Sequence, residues 1–395
     1  MRRFGLIGEH LGHSYSRSIH QRFGDYEYDY LETPEEGLPD ILHNEEYGGF
    51  NVTIPYKKKV IPFLDRLSPV AEKIGAVNTI VRKDGRLIGH NTDYYGFTYM
   101  LQRNQIEVVD KKCLVLGNGG ASAVVQQALR DLEADEVVVV SRKGEDNFDN
   151  LGRHFDSQII VNATPVGMYP NNGRSLVNVD NFNRLSGAVD LIYNPDKTKF
   201  ILDAMAKGVP CCGGLSMLVA QAKQSSELFQ GKRISDEDME EVIFDIRSEK
   251  LNMVLIGMPG AGKTYLGRKL AERQGREFVD LDDLIVEREG MPIQEIFDTK
   301  GEEYFRTVET EVLRETCKRQ GLVIACGGGI VKRKINYNYA RQNGRIVWVK
   351  RDLNKLETEG RPLSRTHTME ELYEERKDAY ESWSDYFIDN NQEFN

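Results

Sequence analysis

Short apolar runs alternate with stretches of helical periodicity along almost the whole chain. Apolar runs at 112–116, 136–140, 158–161, 187–191, 253–256, 323–325 and 345–349 predict strands, and the intervals between them are long enough for helices. Strand and helix in alternation is the pattern of α/β architecture with parallel sheets. There is no internal repeat and no low-complexity linker. Twice a short apolar strand runs into a glycine-rich turn and then a helical stretch: Cys113-Leu-Val-Leu-Gly117 before 121–132, and Asn252-Met-Val-Leu-Ile-Gly257 before 266–274. Each reads as the opening strand of a nucleotide-binding sheet, and one domain rarely needs two. Between them, residues 235–247 predict a helix with Ser235 as N-cap, acidic residues in the first turn and one apolar face. That helix closes a first module and leaves 248–251 as a linker.

Size and charge narrow the classes. A chain of 395 residues suggests about two to three domains. The net charge of -10 is spread over mixed-sign segments, which argues against a nucleic-acid binder with a basic face while leaving anionic substrates within reach of locally placed arginines. Arg2 and Arg3 are followed by no long apolar stretch, so the N-terminus reads as a first strand rather than a signal peptide. No run approaches the roughly 20 apolar residues that span a bilayer. Five cysteines form no C-x-x-C pair, which points to reduced, buried thiols in a cytoplasmic protein; from the charge and the missing apolar run, no nucleic-acid or membrane partner is expected.

The second glycine turn, Gly257-Met-Pro-Gly-Ala-Gly-Lys-Thr264, fits G-x-x-x-x-G-K-[ST] at every defined position. Gly257, Gly260 and Gly262 let backbone N–H groups curl around phosphate oxygens, Lys263 reaches the β- and γ-phosphates, and Thr264 offers its hydroxyl to Mg2+. Asp280, in Val279-Asp-Leu-Asp-Asp283, stands where a carboxylate would hold the metal through water. ATP and Mg2+ are therefore the expected cofactors, though the loop alone leaves kinases, GTPases and other ATPases open. The neighbours narrow it: Phe305-Arg306 with Glu309, Cys326-Gly-Gly-Gly329, Gly360-Arg-Pro-Leu-Ser364, and Tyr373-Glu-Glu-Arg376 with Tyr380, and no Asn-Lys-x-Asp segment to read guanine. From 252 to 388 this combination resembles shikimate kinase. The resemblance implies a P-loop NTPase-type, nucleoside monophosphate kinase-like α/β domain over 252–395. Asp282 would bind ring hydroxyls and act as base or orienter, Arg306 and Arg376 would clamp the carboxylate, Gly328 would give a backbone contact, and Arg361 would descend from a lid onto the transferred phosphoryl group. The interval from Val349 to Arg361 is shorter than in many members of that family, implying a small lid, and the stretch after 388 implies abbreviated adenine contacts.

The first glycine turn, Gly117-Asn-Gly-Gly-Ala-Ser122, keeps two glycines of G-x-G-x-x-G, with Gly117, Gly119, Gly120 and Ala121 as its dinucleotide-facing positions. The next strand ends in Ser141-Arg142-Lys143, where an NAD enzyme would carry an acidic residue, so Ser141 and Arg142 favour the 2′-phosphate of NADP. Polar clusters flank this unit: Gly12-His-Ser-Tyr-Ser16, whose two serines would share one side of an extended segment, Asn51-Val-Thr-Ile-Pro-Tyr-Lys57, Gly75-Ala-Val-Asn-Thr79, Gly89-His-Asn-Thr-Asp93, Asn162-Ala-Thr-Pro-Val-Gly-Met168, Asp190-Leu-Ile-Tyr193 and Gly213-Gly-Leu-Ser-Met217 up to Gln221. From 4 to 247 the set resembles shikimate dehydrogenase. The resemblance implies an α/β substrate-binding domain over 1–101, completed by 215–247, beside a Rossmann NADP(H)-binding domain over 102–214. Ser14 and Ser16 would bind the substrate carboxylate, Thr53, Asn78, Asp93 and Gln221 ring hydroxyls, and Tyr193 would line the cleft. Gly214 and Met217 would lie on the cofactor side, and Lys57 with Asp93 would be the catalytic pair. His13, His20 and His90 read as packing residues, and the interval 24–50 is shorter than in many relatives.

The expectation is thus a bifunctional enzyme, monomer or homodimer, that reduces 3-dehydroshikimate to shikimate and phosphorylates the product. Two alternatives stay open: quinate or NAD in place of shikimate or NADP, and a ligand-binding regulator without catalysis.

Overall fold

The computed structural model describes residues 3–12, 14–356 and 368–391. Two compact units divide the chain: Met1–Met168 with Arg174–Tyr193 and Phe200–Ile246, and Arg247–Asn395 with Tyr169–Gly173 and Asn194–Lys199. The boundary at Ile246 falls inside a helix. Among the described residues no helix is long and apolar enough to cross a membrane.

The first unit opens with β1 (Arg3–Gly8), α1 (Ser16–Phe23), β2 (Glu27–Glu32), α2 (Leu38–His43), β3 (Tyr47–Val52), β4 (Arg66–Leu67), α3 (Pro69–Ile74), β5 (Thr79–Lys83), β6 (Arg86–His90) and α4 (Asp93–Arg103). The strands form one sheet in the order β2-β1-β3-β5-β6-β4. Parallel pairing on its β2 side gives way to antiparallel pairing across β3-β5-β6. Phe50, Ile80, Val77 and Leu38 are fully buried in its core.

A second sheet follows, built from β7 (Lys112–Leu116), α5 (Gly120–Asp131), β8 (Glu136–Val140), β9 (Ile159–Asn162), β10 (Gly187–Asp190), α6 (Lys199–Ala206) and β11 (Cys211–Cys212), and then come α7 (Leu215–Gln230) and α8 (Asp236–Lys250). Its order is β11-β10-β9-β7-β8, all parallel. A parallel strand covered on both faces needs apolar side chains on both, and β7 supplies them. Cys113 and Val115 face one cluster with Phe97 and Leu129; Leu114 and Leu116 face another with Val140 and Phe200. The chain leaves β7 to one side for β8 and to the other for β9, so a crevice opens where β7 ends at Gly117.

The second unit repeats the logic: β12 (Asn252–Ile256), α9 (Lys263–Gln274), β13 (Phe278–Asp280), α10 (Leu281–Glu289), α11 (Ile293–Thr316), β14 (Val323–Ala325), α12 (Lys334–Gln342), β15 (Gly344–Lys350), α13 (Met369–Trp383) and β16 (Tyr386–Asp389). The order β13-β14-β12-β15-β16 is again parallel throughout and switches direction at β12, where the P-loop begins.

Two expectations need correction. Residues 248–250 are not a linker: the helix capped by Ser235, whose hydroxyl oxygen accepts the Asp238 N–H at 3.0 Å, continues to Lys250. Ser248, Glu249 and Lys250 contain no glycine or proline to stop it, and Arg247 and Lys250 suit its negative end. The Ser14–Ser16 segment is not extended either. Tyr15 has helical backbone angles and Ser16 already opens α1.

Candidate active sites

In the first unit the contacts join the predicted residues in pairs: Ser14 with Ser16, Lys57 with Asp93, and Asn78 with Gln221. The turn of Ser14 feeds α1, and the Ser14 and Ser16 hydroxyls lie 3.0 Å apart despite the helical start, because the Ser16 N–H also donates to the Ser14 hydroxyl. The Tyr30 hydroxyl holds this turn through the Ser14 carbonyl at 2.7 Å. Thr53 follows β3 and its N–H donates to the Ile7 carbonyl. A short turn then carries Lys57, whose ammonium donates to Asp93 Oδ2 at 2.6 Å. The lysine run divides here: Lys58 and Lys59 are exposed, whereas the Lys57 and Asp93 side chains keep only 21% and 12% of their surface accessible. Asp93 is the first residue of α4, so its carboxylate also suits the positive helix end.

Asn78 precedes β5. Its Oδ1 accepts the Thr92 N–H at 2.7 Å and its Nδ2 lies 3.5 Å from Gln221 Oε1 on α7. Tyr193, beyond β10, has its ring 5.1 Å from that of Tyr15, and burial raises its phenol above the ordinary value. His20 stacks on Tyr28 at 4.2 Å, and its Nδ1 lies 2.7 Å from the Tyr26 hydroxyl. Burial lowers it to about 3, so it stays neutral at physiological pH. Burial also lowers His90. His13 lies outside the described residues.

The dinucleotide turn stands at the switch point of the second sheet. Gly117 ends β7 with φ +100°, Gly119 caps α5, and Gly120 and Ala121 form its first turn. A side-chain carbon added at Gly119 or Gly120 would meet only open space, so these glycines leave a bare backbone cradle at a helix N-terminus. Ser141 and Arg142 follow β8, with Arg142 exposed. Gly214 caps α7, while Met217 is 8% exposed within the cluster that holds Phe97 and Val115.

In the second unit the P-loop curls as its glycines require. Gly257, Gly260 and Gly262 have φ of +143°, +79° and +86°, and a Cβ at Gly257 would collide with the Val349 carbonyl. The Lys263 ammonium donates to the Gly257 and Met258 carbonyls at 2.9 and 2.8 Å. Thr264 donates its hydroxyl to Asp280 Oδ2 at 2.7 Å, and the other oxygen of Asp280 caps α10 through the Asp282 N–H. This oxygen pair beside the loop is the donor set that Mg2+ prefers.

Beyond β14 the three glycines lie against chemistry. A Cβ on Gly327 would sit 2.9 Å from Glu309 Oε1 and 3.0 Å from Asp282 Oδ1, so the two carboxylates flank it. A Cβ on Gly329 would overlap the Arg306 guanidinium, which only a bare backbone lets so close. The Gly328 carbonyl accepts from Arg376 Nη1 at 3.3 Å and from the Tyr380 hydroxyl, both residues of α13. Arg306 donates to Glu309 Oε2 at 2.8 Å and to Glu302 at 3.3 Å. Arg306 and Arg376 are 5% and 1% exposed, which is burial rather than a solvated helix face. Burial raises the Glu309 carboxyl to about 7 despite Arg306, with Asp282 adding to the rise. Arg361 lies outside the described residues.

Glu309, Thr92 and Asn51 stand inside motifs that give them no role by themselves, and Tyr30 and Ser225 stand outside every motif. Ser225 had one legible signal, its spacing of four from Gln221, which puts both on one helix face. Burial raises the thiols of Cys113, Cys212 and Cys317 to about 12, so these three are inert.

Residues 6–80 match the family model of the shikimate dehydrogenase substrate binding domain, and residues 259–395 match that of shikimate kinase. The chain is similar to a shikimate dehydrogenase (NADP(+)) of Clostridium beijerinckii, 39% identical over 246 residues that cover 58% of this chain and 91% of the relative. Among solved structures it is similar to a chorismate mutase/shikimate 5-dehydrogenase fusion protein from Clostridium acetobutylicum, with TM-score 0.60, 38% identity, and coverage of 62% of this chain and 97% of that one. It is also similar to a shikimate 5-dehydrogenase from Thermus thermophilus in complex with NADP(H) and shikimate, with TM-score 0.57 and 33% identity, covering 62% of this chain and 99% of that one.

Proposed function

The chain belongs to the shikimate dehydrogenase family and carries a shikimate kinase domain behind that region, and from this we propose that it performs two consecutive reactions. The first reduces 3-dehydroshikimate to shikimate, and the second phosphorylates shikimate at its 3-hydroxyl. NADPH supplies the hydride of the first step when bound, and ATP with Mg2+ supplies the phosphoryl group of the second.

In the first unit Lys57 donates a proton to the oxygen of the ring ketone as it becomes an alkoxide, and its charge stabilises that oxygen on the way. Asp93 holds the ammonium in place. Ser14 and Ser16 bind the substrate carboxylate with two convergent hydroxyls, and Thr53, Asn78, Asp93 and Gln221 take the ring hydroxyls. The open cradle of Gly119 and Gly120 suits a pyrophosphate, and Arg142 at the end of β8 suits a 2′-phosphate. The observation that carries this half is the 2.6 Å contact of Lys57 with Asp93, formed while its two neighbouring lysines face solvent.

In the second unit Asp282 orients the attacking hydroxyl and accepts its proton. Arg306 and Arg376 clamp the carboxylate, and Gly328 meets the ring. Lys263 would meet the phosphates and Thr264 with Asp280 would hold Mg2+, while Arg361, to which the resemblance gives the transferred group, lies outside the described residues.

The test is a coupled assay on the full chain with 3-dehydroshikimate, NADPH and ATP-Mg2+. NADPH oxidation followed by ADP and shikimate 3-phosphate is expected; oxidation of quinate with NAD faster than of shikimate with NADP would overturn the substrate assignment. Lys57→Ala should remove reduction and leave phosphorylation of added shikimate, and Lys263→Ala the reverse. Loss of both activities in either variant would refute two independent sites.

A further inference from the structure

Helix α1 starts at the two serines read as the carboxylate site, and it starts without the usual cap. Its N-cap residue, Tyr15, makes no side-chain cap bond, so the first N–H groups of the helix need partners from elsewhere. The Ser16 N–H finds one inside the turn, in the Ser14 hydroxyl at 3.2 Å. The Arg17 N–H finds its own outside the turn, in the Tyr30 hydroxyl at 3.3 Å.

The same hydroxyl reaches the other flank of the serines, where Tyr30 donates to the Ser14 carbonyl at 2.7 Å. A phenolic hydroxyl has one hydrogen to give and lone pairs to accept with, so both bonds form together. Their senses are fixed, because a carbonyl can only accept and an N–H can only donate. Among the described residues neither the Ser14 carbonyl nor the Arg17 N–H has another partner. The other bonds at the serines run from the Ser14 N–H to the Leu11 carbonyl at 3.0 Å and between Ser14 and Ser16. These lie within the turn itself; they shape it but do not attach it to the sheet.

Attachment comes from β2. Alternate residues of a strand share one face, so Tyr28, Tyr30 and Glu32 point the same way. Glu32 Oε1 accepts the Leu11 N–H at 2.6 Å, Tyr30 takes Ser14 and Arg17, and Tyr28 stacks on His20 at 4.2 Å. Residues 11, 14, 17 and 20 are thus laid along that face, and Tyr30 is the member that bonds on both sides of Ser16. Its ring is held in turn: the Arg17 guanidinium lies over it at 4.5 Å, while Arg17 Nε donates to the Tyr28 carbonyl at 2.8 Å.

We propose that Tyr30 is a positioning residue for carboxylate recognition in the first unit: its hydroxyl stands in for the missing cap and fixes where the Ser14 and Ser16 hydroxyls stand. The inference rests on the reading of those serines as ligands of the substrate carboxylate. Tyr30 acts through them and not on the substrate, so its loss weakens binding of the carboxylate and spares the cofactor.

The experiment measures shikimate oxidation by the full chain and its Tyr30→Phe variant, which keeps the ring under Arg17 and removes only the hydroxyl. KM for shikimate should rise about fivefold, the scale of one hydrogen bond, with kcat and KM for NADP within about twofold of the parent. The retained KM for NADP also shows that the first unit is folded. The same substitution is then made in a Ser14→Ala/Ser16→Ala background. There it should lower kcat/KM by less than about twofold, because residues that act through one another are not additive. Tyr30→His, too short to span both bonds, carries the same two comparisons if the phenylalanine variant does not fold. A KM for shikimate at the parent value, or an equal loss in both backgrounds, would overturn the proposal, since a merely structural tyrosine acts whether or not the serines are present. If replacing the serines themselves left KM for shikimate unchanged, the ligand reading beneath it would fall instead.

Discussion

Residue identity alone leaves a charged side chain ambiguous, and burial is what resolves it. Lys57 stands in a run of three lysines, yet only it meets Asp93. Arg306 and Arg376 occupy helices, where charges ordinarily face water, but here they are buried beside the glycines after β14. Glu309 shows the cost of such burial. Its carboxyl is raised from 4.5 to about 7, so the Arg306 pair does not offset the loss of water. The sign for stability follows from proton counting. Between pH 4.5 and about 7 the folded unit binds more protons at this site than the unfolded chain. Its contribution is therefore fully present below pH 4.5 and is lost as pH rises through 7. Glu309→Gln should flatten that part of the profile, read as the urea midpoint of the second unit between pH 5 and 8. An unchanged slope would show that Glu309 is already ionised in the folded state.

At the scale of elements, two helices that deliver site residues, α10 and α13, begin with side-chain caps. The helix α13 carries Arg376 and Tyr380 and begins with a full capping box, in which Thr368 accepts the Glu371 N–H and Glu371 accepts the Thr368 N–H. Removing the cap with Thr368→Ala should cost about 1 kcal/mol, measured by urea unfolding. The loss should appear in the stability of the second unit while reduction of 3-dehydroshikimate proceeds at the parent rate. Its N-cap chemistry, Thr-x-x-Glu, is legible in sequence, as are the parallel strands in their continuous β-branched runs. The exact fates of 248–250 and of the Ser14 turn were not legible, because helix continuation there depends on what each end packs against.

At the scale of the molecule, two sheets end in glycine turns at the points where strand order reverses, and each turn serves a different chemistry. On the proposed reading the first unit would take its proton from Lys57, while Thr264 and Asp280 would hold the metal that phosphoryl transfer in the second unit needs. Chelation with EDTA should therefore stop phosphorylation and leave the rate of NADPH oxidation unchanged. A parallel fall in both rates would contradict the assignment of proton donation to Lys57.

The amino-acid sequence by itself determined the α/β class, the two nucleotide turns, and the residue sets that mark the two families, because local periodicity and glycine spacing are written in chain order. The tertiary structure alone decided which charges lose their water, as with Lys57, Arg376 and Glu309, and which hydroxyls share a hydrogen bond. Ser225 meets Asn51, Thr79 and Thr92 across separations of 174, 146 and 133 residues. No local pattern encodes such a meeting; it exists only once sheet and helix have packed and excluded water from between them.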